Sequence, residues 1–177
     1  MTGLTLVVLL AVAAVVVPVA GVVSSVETAL AQLSVARVES LVKDERPGAA
    51  RLQRVIDNRP DHINLLVLIR TVLEAGAAVL VTIVAEDLIE PTGWAVAVAV
   101  VVASLLIYVI VGVISRTAGR RNPYSLSLKA APVLLVSAKI LSPFSRLLIR
   151  VGGLFAGGGA LKAGPFASEI ELREAVD

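Results

Sequence analysis

Three long apolar runs constrain this chain more than any other feature of its sequence. They cover about residues 3–30, His62–Ala85 and Trp94–Ile114. A helix of about 20 residues crosses the hydrocarbon core of a bilayer, whereas a membrane strand needs only about 9–11 residues and a closed barrel of partner strands. The runs are too long for strands and too few for a barrel. The sequence therefore predicts an all-α membrane protein with three transmembrane helices.

The composition supports this class and argues against several others. The chain is 57% hydrophobic and 17% charged, whereas soluble domains carry about a quarter charged residues. It has no cysteine and one histidine, which argues against disulfides, thiolate metal sites and a Ser-His-Asp triad. The net charge of +2 is too small to indicate a nucleic-acid partner. We expect no enzymatic activity and no nucleic-acid binding.

The charges of the connecting segments predict the orientation. The segment between the second and third runs, "EDLIEPTG", is acidic and has no basic residue. Basic residues occupy the other two flanking segments: Arg37, Lys43, Arg46, Arg51, Arg54 and Arg59 in one, and Arg116, Arg120 and Arg121 in the other. Because basic segments stay in the cytoplasm, we expect a multi-pass plasma-membrane protein with its N-terminus outside and its C-terminus in the cytoplasm.

Segment 34–60 has its own pattern. Apolar residues recur at helical spacing on both sides of "DERPGA", namely Val38, Leu41, Val42, Leu52, Val55 and Ile56. This pattern predicts a short amphipathic helical hairpin beneath the membrane. A solvated connector is the alternative.

The C-terminal third is apolar but broken by prolines. Pro132 and the pair Ser142-Pro143, with Ser142 as an N-cap, predict juxtamembrane helices over 124–155. A fourth transmembrane helix is the alternative. Residues 157–177 are predicted to form a Gly-rich linker and the start of an acidic helix, opened by a capping box of Ser168 and Glu171.

The order of these elements resembles a known family. "SSVETAL" ends the first run, a basic hairpin and two further runs follow, and then come "RNP", a Gly linker and "EIELREAV". This order resembles the transmembrane domain of the CNNM/CorC (haemolysin-like) magnesium transporters, in an actinobacterial-type version, with residues 1–156 as that domain. The resemblance implies a homodimer, a cytoplasmic pair of CBS modules after residue 177, and a dehydrated Mg²⁺ in a cavity that opens inward.

The resemblance also implies a set of magnesium ligands that this chain has partly lost. Ser24, Glu27 and Thr71 fall on positions that would contribute to the metal site. The family's Gly-Asn-Asn element falls on residues 70–72, which are Arg-Thr-Val here, and its acidic ligand in the third helix falls on Gly112. Mg²⁺ requires oxygen ligands in near-octahedral geometry, so we expect a degenerate site.

Charged residues inside the second run need partners, because an ionisable group in a membrane is costly. Arg70 and Glu74 lie four residues apart, on one helix face. They form either a stabilising ion pair that faces the bundle, or a built-in cation that replaces the lost metal, with Glu27 or Glu74 as counter-ion. Glu27 either pairs near the interface or lines an inward cavity with Ser24 and Thr28.

Two functions follow from these features. The first is divalent-cation (Mg²⁺) transport or efflux with an eroded site, so that Mg²⁺ is the one ion expected. The second is a non-transporting regulator or scaffold that pairs with a complete paralogue. The partners expected are the lipid bilayer, a second copy of the chain and such a paralogue.

Overall fold

The computed structural model describes residues 2–155, with side chains through Leu141, and this part of the chain is entirely helical and turn. Its helices are α1 (Gly3–Ala31), α2 (Val35–Lys43), α3 (Ala49–Asp57), α4 (Arg59–Leu88), α5 (Thr92–Leu106), α6 (Arg116–Arg121) and α7 (Pro123–Phe155). A π-helical segment, Ile107–Ser115, joins α5 to α6. The predicted all-α class is confirmed. The linker and acidic helix predicted for 157–177 lie outside the described residues.

Among the described residues, four helices are long and apolar enough to cross a membrane. They are Gly3–Ala31, Arg59–Leu88, the continuous helix Thr92–Arg121 that we call the third span, and Pro123–Leu141. The first three contain the predicted transmembrane runs. The fourth belongs to α7, which sequence analysis assigned to juxtamembrane helices.

The predicted break of α7 at its prolines is wrong. The helix continues through Pro132 and Pro143 to Phe155. A proline inside a helix removes one backbone hydrogen bond. At Pro132, packing offsets the loss of this hydrogen bond, because the nearby residues Ala131 and Leu134 are buried in the main apolar core.

The main core lies where α7 meets the hairpin and the ends of two spans. Helices α2 and α3 form the predicted hairpin, and Gly48 in the turn between them has a φ of +86° that glycine adopts without strain. The buried residues of the core are Val26, Leu30, Leu33, Val38, Leu52, Val55, Ile56, Ile63, Leu66, Ala131 and Leu134. One apolar cluster therefore ties α1, α4, the hairpin and the first half of α7 together.

Small residues set the distance between neighbouring spans. Helix α4 packs against α5 through Ala85, Ala95 and Ala99. On its other side, the bundle brings α1 close to the third span. A Cβ on Gly21 would lie 2.6 Å from Ser115 Oγ. A Cβ on Gly119 would lie 3.0 Å from Thr28 Cβ and would clash with the Ser25 carbonyl. In a membrane, such close approach lets backbones and short polar side chains interact.

Gly119→Ala should therefore destabilise the domain, by about 1–3 kcal/mol, because the added methyl group meets backbone that cannot move freely. Gly93→Ala is the matched control: Gly93 is also helical, and a Cβ there would meet nothing within 4 Å. The measurement is thermal unfolding of both variants in detergent. Equal melting temperatures for the two variants would contradict the close packing of α1 against the third span.

Candidate functional site

Arg70 and Glu74 lie on the inner stripe of α4. The buried residues Ile63, Leu66, Ala77 and Val84 recur along this helix at intervals of whole helical turns. Arg70 follows Leu66 by four residues, and Glu74 precedes Ala77 by three, so the two charges occupy the middle of the same stripe. Both side chains therefore face the helical bundle.

The guanidinium of Arg70 bridges two carboxylates. Arg70 Nε donates to Glu27 Oε2 of α1 at 2.9 Å, and Arg70 Nη1 donates to Glu74 Oε1 at 3.0 Å. The Arg70 side chain is 18% exposed and each glutamate 21%. Both counter-ions considered from the sequence thus contact the same guanidinium, and we call these three residues the triad. It joins α1 to α4 with one positive and two negative formal charges.

The serines of α1 bind the backbone of the third span. Ser24 Oγ donates to the Val111 carbonyl at 3.0 Å, and Ser25 Oγ lies within bonding distance of the Ser115 carbonyl, at 2.9 Å, and of the Gly21 carbonyl, at 3.0 Å. Both serines are buried. Since a hydroxyl has one proton to donate, these bonds commit the serine protons to holding α1 against the π-helical segment.

Ser115 has a structural role that was not predicted from the sequence. It is buried, and its hydroxyl donates to the Ile110 carbonyl at 2.6 Å. The adjacent pair of serines in α1 and the glycines at 21 and 119 were the available signal, since small residues along facing spans indicate close contact.

Thr71 lies apart from the other predicted metal ligands. Its side chain is exposed, and its hydroxyl donates to the Val67 carbonyl of its own helix at 2.8 Å. Gly112, at the position where the family would carry an acidic ligand, lies in the π-helical segment next to Val111. Ser24 lies on α1 three residues before Glu27, which belongs to the triad.

This arrangement does not suit Mg²⁺ as it stands. Among the described residues, no group of three or more His, Cys, Asp and Glu side chains comes together to hold a metal. Mg²⁺ demands close to six oxygen ligands, and the two carboxylates of the triad already bind a guanidinium. Arg70 therefore occupies the position between the two carboxylates.

Comparison with known proteins shows where this chain belongs. The sequence model of the cyclin M transmembrane N-terminal domain (CNNM) matches residues 9–177. The chain is similar to the UPF0053 proteins Mb2387c of Mycobacterium bovis and Rv2366c of Mycobacterium tuberculosis, with 41% identity to each over 157 residues. These matches cover 89% of this chain and 36% of each relative. The chain thus spans about a third of the length of the relatives that it matches.

Arg70→Ala should destabilise the domain by about 3 kcal/mol, since it leaves two carboxylates without a partner inside the bundle. The partial exposure of the triad puts this value at the lower end for buried pairs. The measurement is thermal unfolding in detergent. Arg54→Ala is the control, because Arg54 is exposed and its Nε donates to the Ala50 carbonyl of its own helix. An Arg70→Ala variant that melts like the wild type would show that the triad carries no stability.

Proposed function

The chain belongs to the cyclin M transmembrane (CNNM) family. From this membership we propose that it is the membrane domain of a longer protein. In this domain, the guanidinium of Arg70 takes the place of a transported Mg²⁺. In this proposal the domain does not carry Mg²⁺ by itself. It serves instead as a membrane scaffold that regulates the remainder of the protein or a transporting paralogue.

The observation that carries the proposal is the contact of Arg70 with both Glu27 and Glu74. A guanidinium stays charged at every physiological pH, and its covalent tether keeps it in the site. Two unit charges 4 Å apart repel each other by about 4 kcal/mol at an effective dielectric constant of 20. A divalent ion arriving beside Arg70 would meet this repulsion and find the carboxylates already occupied.

The serine contacts support a scaffold in the same way. Ser24 and Ser25 donate to carbonyls of the third span, so their hydroxyls join helices. In this proposal the polar residues of the site fasten α1 to its neighbours, and the domain holds a fixed arrangement of its spans.

Divalent-cation transport is the second candidate, and the accessibility of the two carboxylates favours it. Glu27 and Glu74 are each about a fifth exposed. Within the described residues, each has one oxygen bonded to Arg70 and one without a hydrogen-bond partner. A rotation of Arg70 away from α1 would leave these oxygens free for a cation, with Arg70 acting as its gate.

A magnesium assay on the full-length protein in liposomes separates the two candidates. We expect no Mg²⁺ flux above that of empty liposomes, and no rise in melting temperature with millimolar Mg²⁺. Arg70→Asn should gain a Mg²⁺-dependent rise in melting temperature, because it frees both carboxylates and adds an oxygen donor. Wild-type flux that disappears in Glu27→Gln would instead establish transport.

We also propose that the hairpin and α7 lie on the cytoplasmic side, with the N-terminus and the α4–α5 loop outside. The basic residues support this orientation, because they concentrate at the hairpin and at the end of the third span, whereas the last turn of α4 carries Glu86 and Asp87 and the α4–α5 loop carries Glu90. Assembly as a homodimer through the second and third spans is part of the same proposal. The exposed small residues Ala75 and Gly76 of α4 support it.

Single cysteines test the orientation directly, because the chain has no native cysteine. Glu90→Cys and Arg54→Cys replace exposed residues at opposite ends of the spans. In intact cells, a membrane-impermeant maleimide should label position 90, whereas position 54 should react only after the membrane is opened. Labelling of both positions in intact cells would refute the orientation.

A further inference from the structure

The charged residues between positions 91 and 168 are all basic. Residues 91–168 contain no Asp or Glu. Within 116–150 there are seven basic residues: Arg116, Arg120, Arg121, Lys129, Lys139, Arg146 and Arg150. These cations therefore have no carboxylate neighbour along the chain. The anionic groups that neutralise them must come from outside this segment.

Helix α6 presents its arginines from a fixed position. Arg116 and Arg120 lie four residues apart on one exposed face, and Arg121 is exposed beside them. The helix itself is held against α1, because Gly119 is buried next to Ser25 and Thr28. The helix backbone is thus anchored while its guanidinium groups project outward at the end of the third span.

Helix α7 begins two residues later and has two different faces. Its inner face carries Ser127, Ala131 and Leu134, all buried, the last two in the main core. Its outer face carries Lys129, Val133, Val136 and Ile140 at helical spacing. The three apolar side chains are 66%, 60% and 68% exposed.

The position of α7 indicates what covers this outer face. Its first turns are tied to the hairpin, because the Ser34 amide donates to Tyr124 Oη at 3.4 Å and the Leu128 carbonyl lies 3.6 Å from where a Cβ of Gly48 would be. The chain reaches α7 directly from the end of the third span. An apolar stripe beside basic residues, at the end of a membrane span, is typical of a helix that lies in the headgroup region.

We propose that Arg116, Arg120, Arg121 and Lys129, together with Val133, Val136 and Ile140, form a binding surface for anionic phospholipids. The three valine and isoleucine side chains enter the outer part of the acyl chains. The lysine extends along this apolar surface to reach the phosphates. The arginines bind headgroup phosphates, for which the planar guanidinium offers paired donors. This inference is independent of the magnesium proposal, since it uses none of the triad residues.

Anionic lipids are favoured over zwitterionic ones by the charge count. A zwitterionic headgroup brings a cation with its phosphate, whereas the surface has basic residues and no carboxylate along its own segment. Each Lys or Arg held near an anionic bilayer surface strengthens the attraction by roughly fivefold. Several residues that act together would make the surface selective.

Tryptophan quenching by brominated lipids provides the test. The single tryptophan, Trp94, lies at the start of α5 and is exposed. Trp94→Phe therefore removes the native tryptophan fluorescence. In this variant, Val136→Trp reports on the outer face of α7. In the full-length protein in nanodiscs, we expect strong quenching by bromines near the headgroup end of the acyl chain. At equal mole fraction, brominated phosphatidylglycerol should quench more than brominated phosphatidylcholine.

The arginine variants identify the headgroup contacts. Arg116→Gln, Arg120→Gln and Arg121→Gln combined should lower the preference for phosphatidylglycerol by roughly fivefold for each arginine removed. The combined hairpin variant Arg51→Gln and Arg54→Gln, also at exposed positions, is the control and should retain the preference. Excess inorganic phosphate should not displace the lipid, because it lacks the acyl chains.

Three results would overturn the inference. Equal quenching by the two brominated lipids would show that the surface does not select anionic headgroups. Strongest quenching by bromines at the bilayer centre would show that α7 crosses the membrane. An unchanged preference in the triple arginine variant, with folding verified by its melting temperature, would show that these arginines do not bind the headgroups.

Discussion

A bilayer offers no water to satisfy polar groups, and the rest of this structure depends on that constraint. Each unpaired polar group in hydrocarbon costs several kcal/mol. Several polar side chains inside the bundle accordingly join helices. Arg70 links α1 to α4, and Ser24 and Ser25 link α1 to the third span. Helix α1 is central because it supplies partners to both neighbours.

Under the proposed function, the family fold keeps its architecture while its chemistry changes at the triad. A bound cation that bridges carboxylates on two helices also helps to hold those helices together. A guanidinium in the same position would preserve this link and remove the exchange of ions. Glu27 of α1 and Glu74, one turn from Arg70 on α4, give this guanidinium two counter-ions. Replacing Arg70 would then lower the stability of the domain and favour the exchange of ions.

Helix α7 meets a different demand at the membrane surface. Its inner face contributes to the main apolar core, and its outer face leaves valines and an isoleucine exposed beside basic residues. In water, such a face would favour aggregation. At a bilayer surface it would be covered by lipid, while the arginines of α6 meet the phosphates. The core that ties the hairpin to the spans would in this way also position the lipid-binding surface.

The sequence by itself determined the helical class, the first three spans, the hairpin and the family, because length and apolar periodicity are properties of local segments. It also required a partner for Arg70, because a charge at that depth is costly. Only the tertiary structure decided that Glu27 and Glu74 share this guanidinium and that the serine hydroxyls bind carbonyls of the π-helical segment. It likewise decided that α7 continues through Pro132. These features depend on contacts between residues far apart in the chain. The packing of one helix against another decides which polar side chains become partners, and it offsets the free-energy cost of a proline inside a helix.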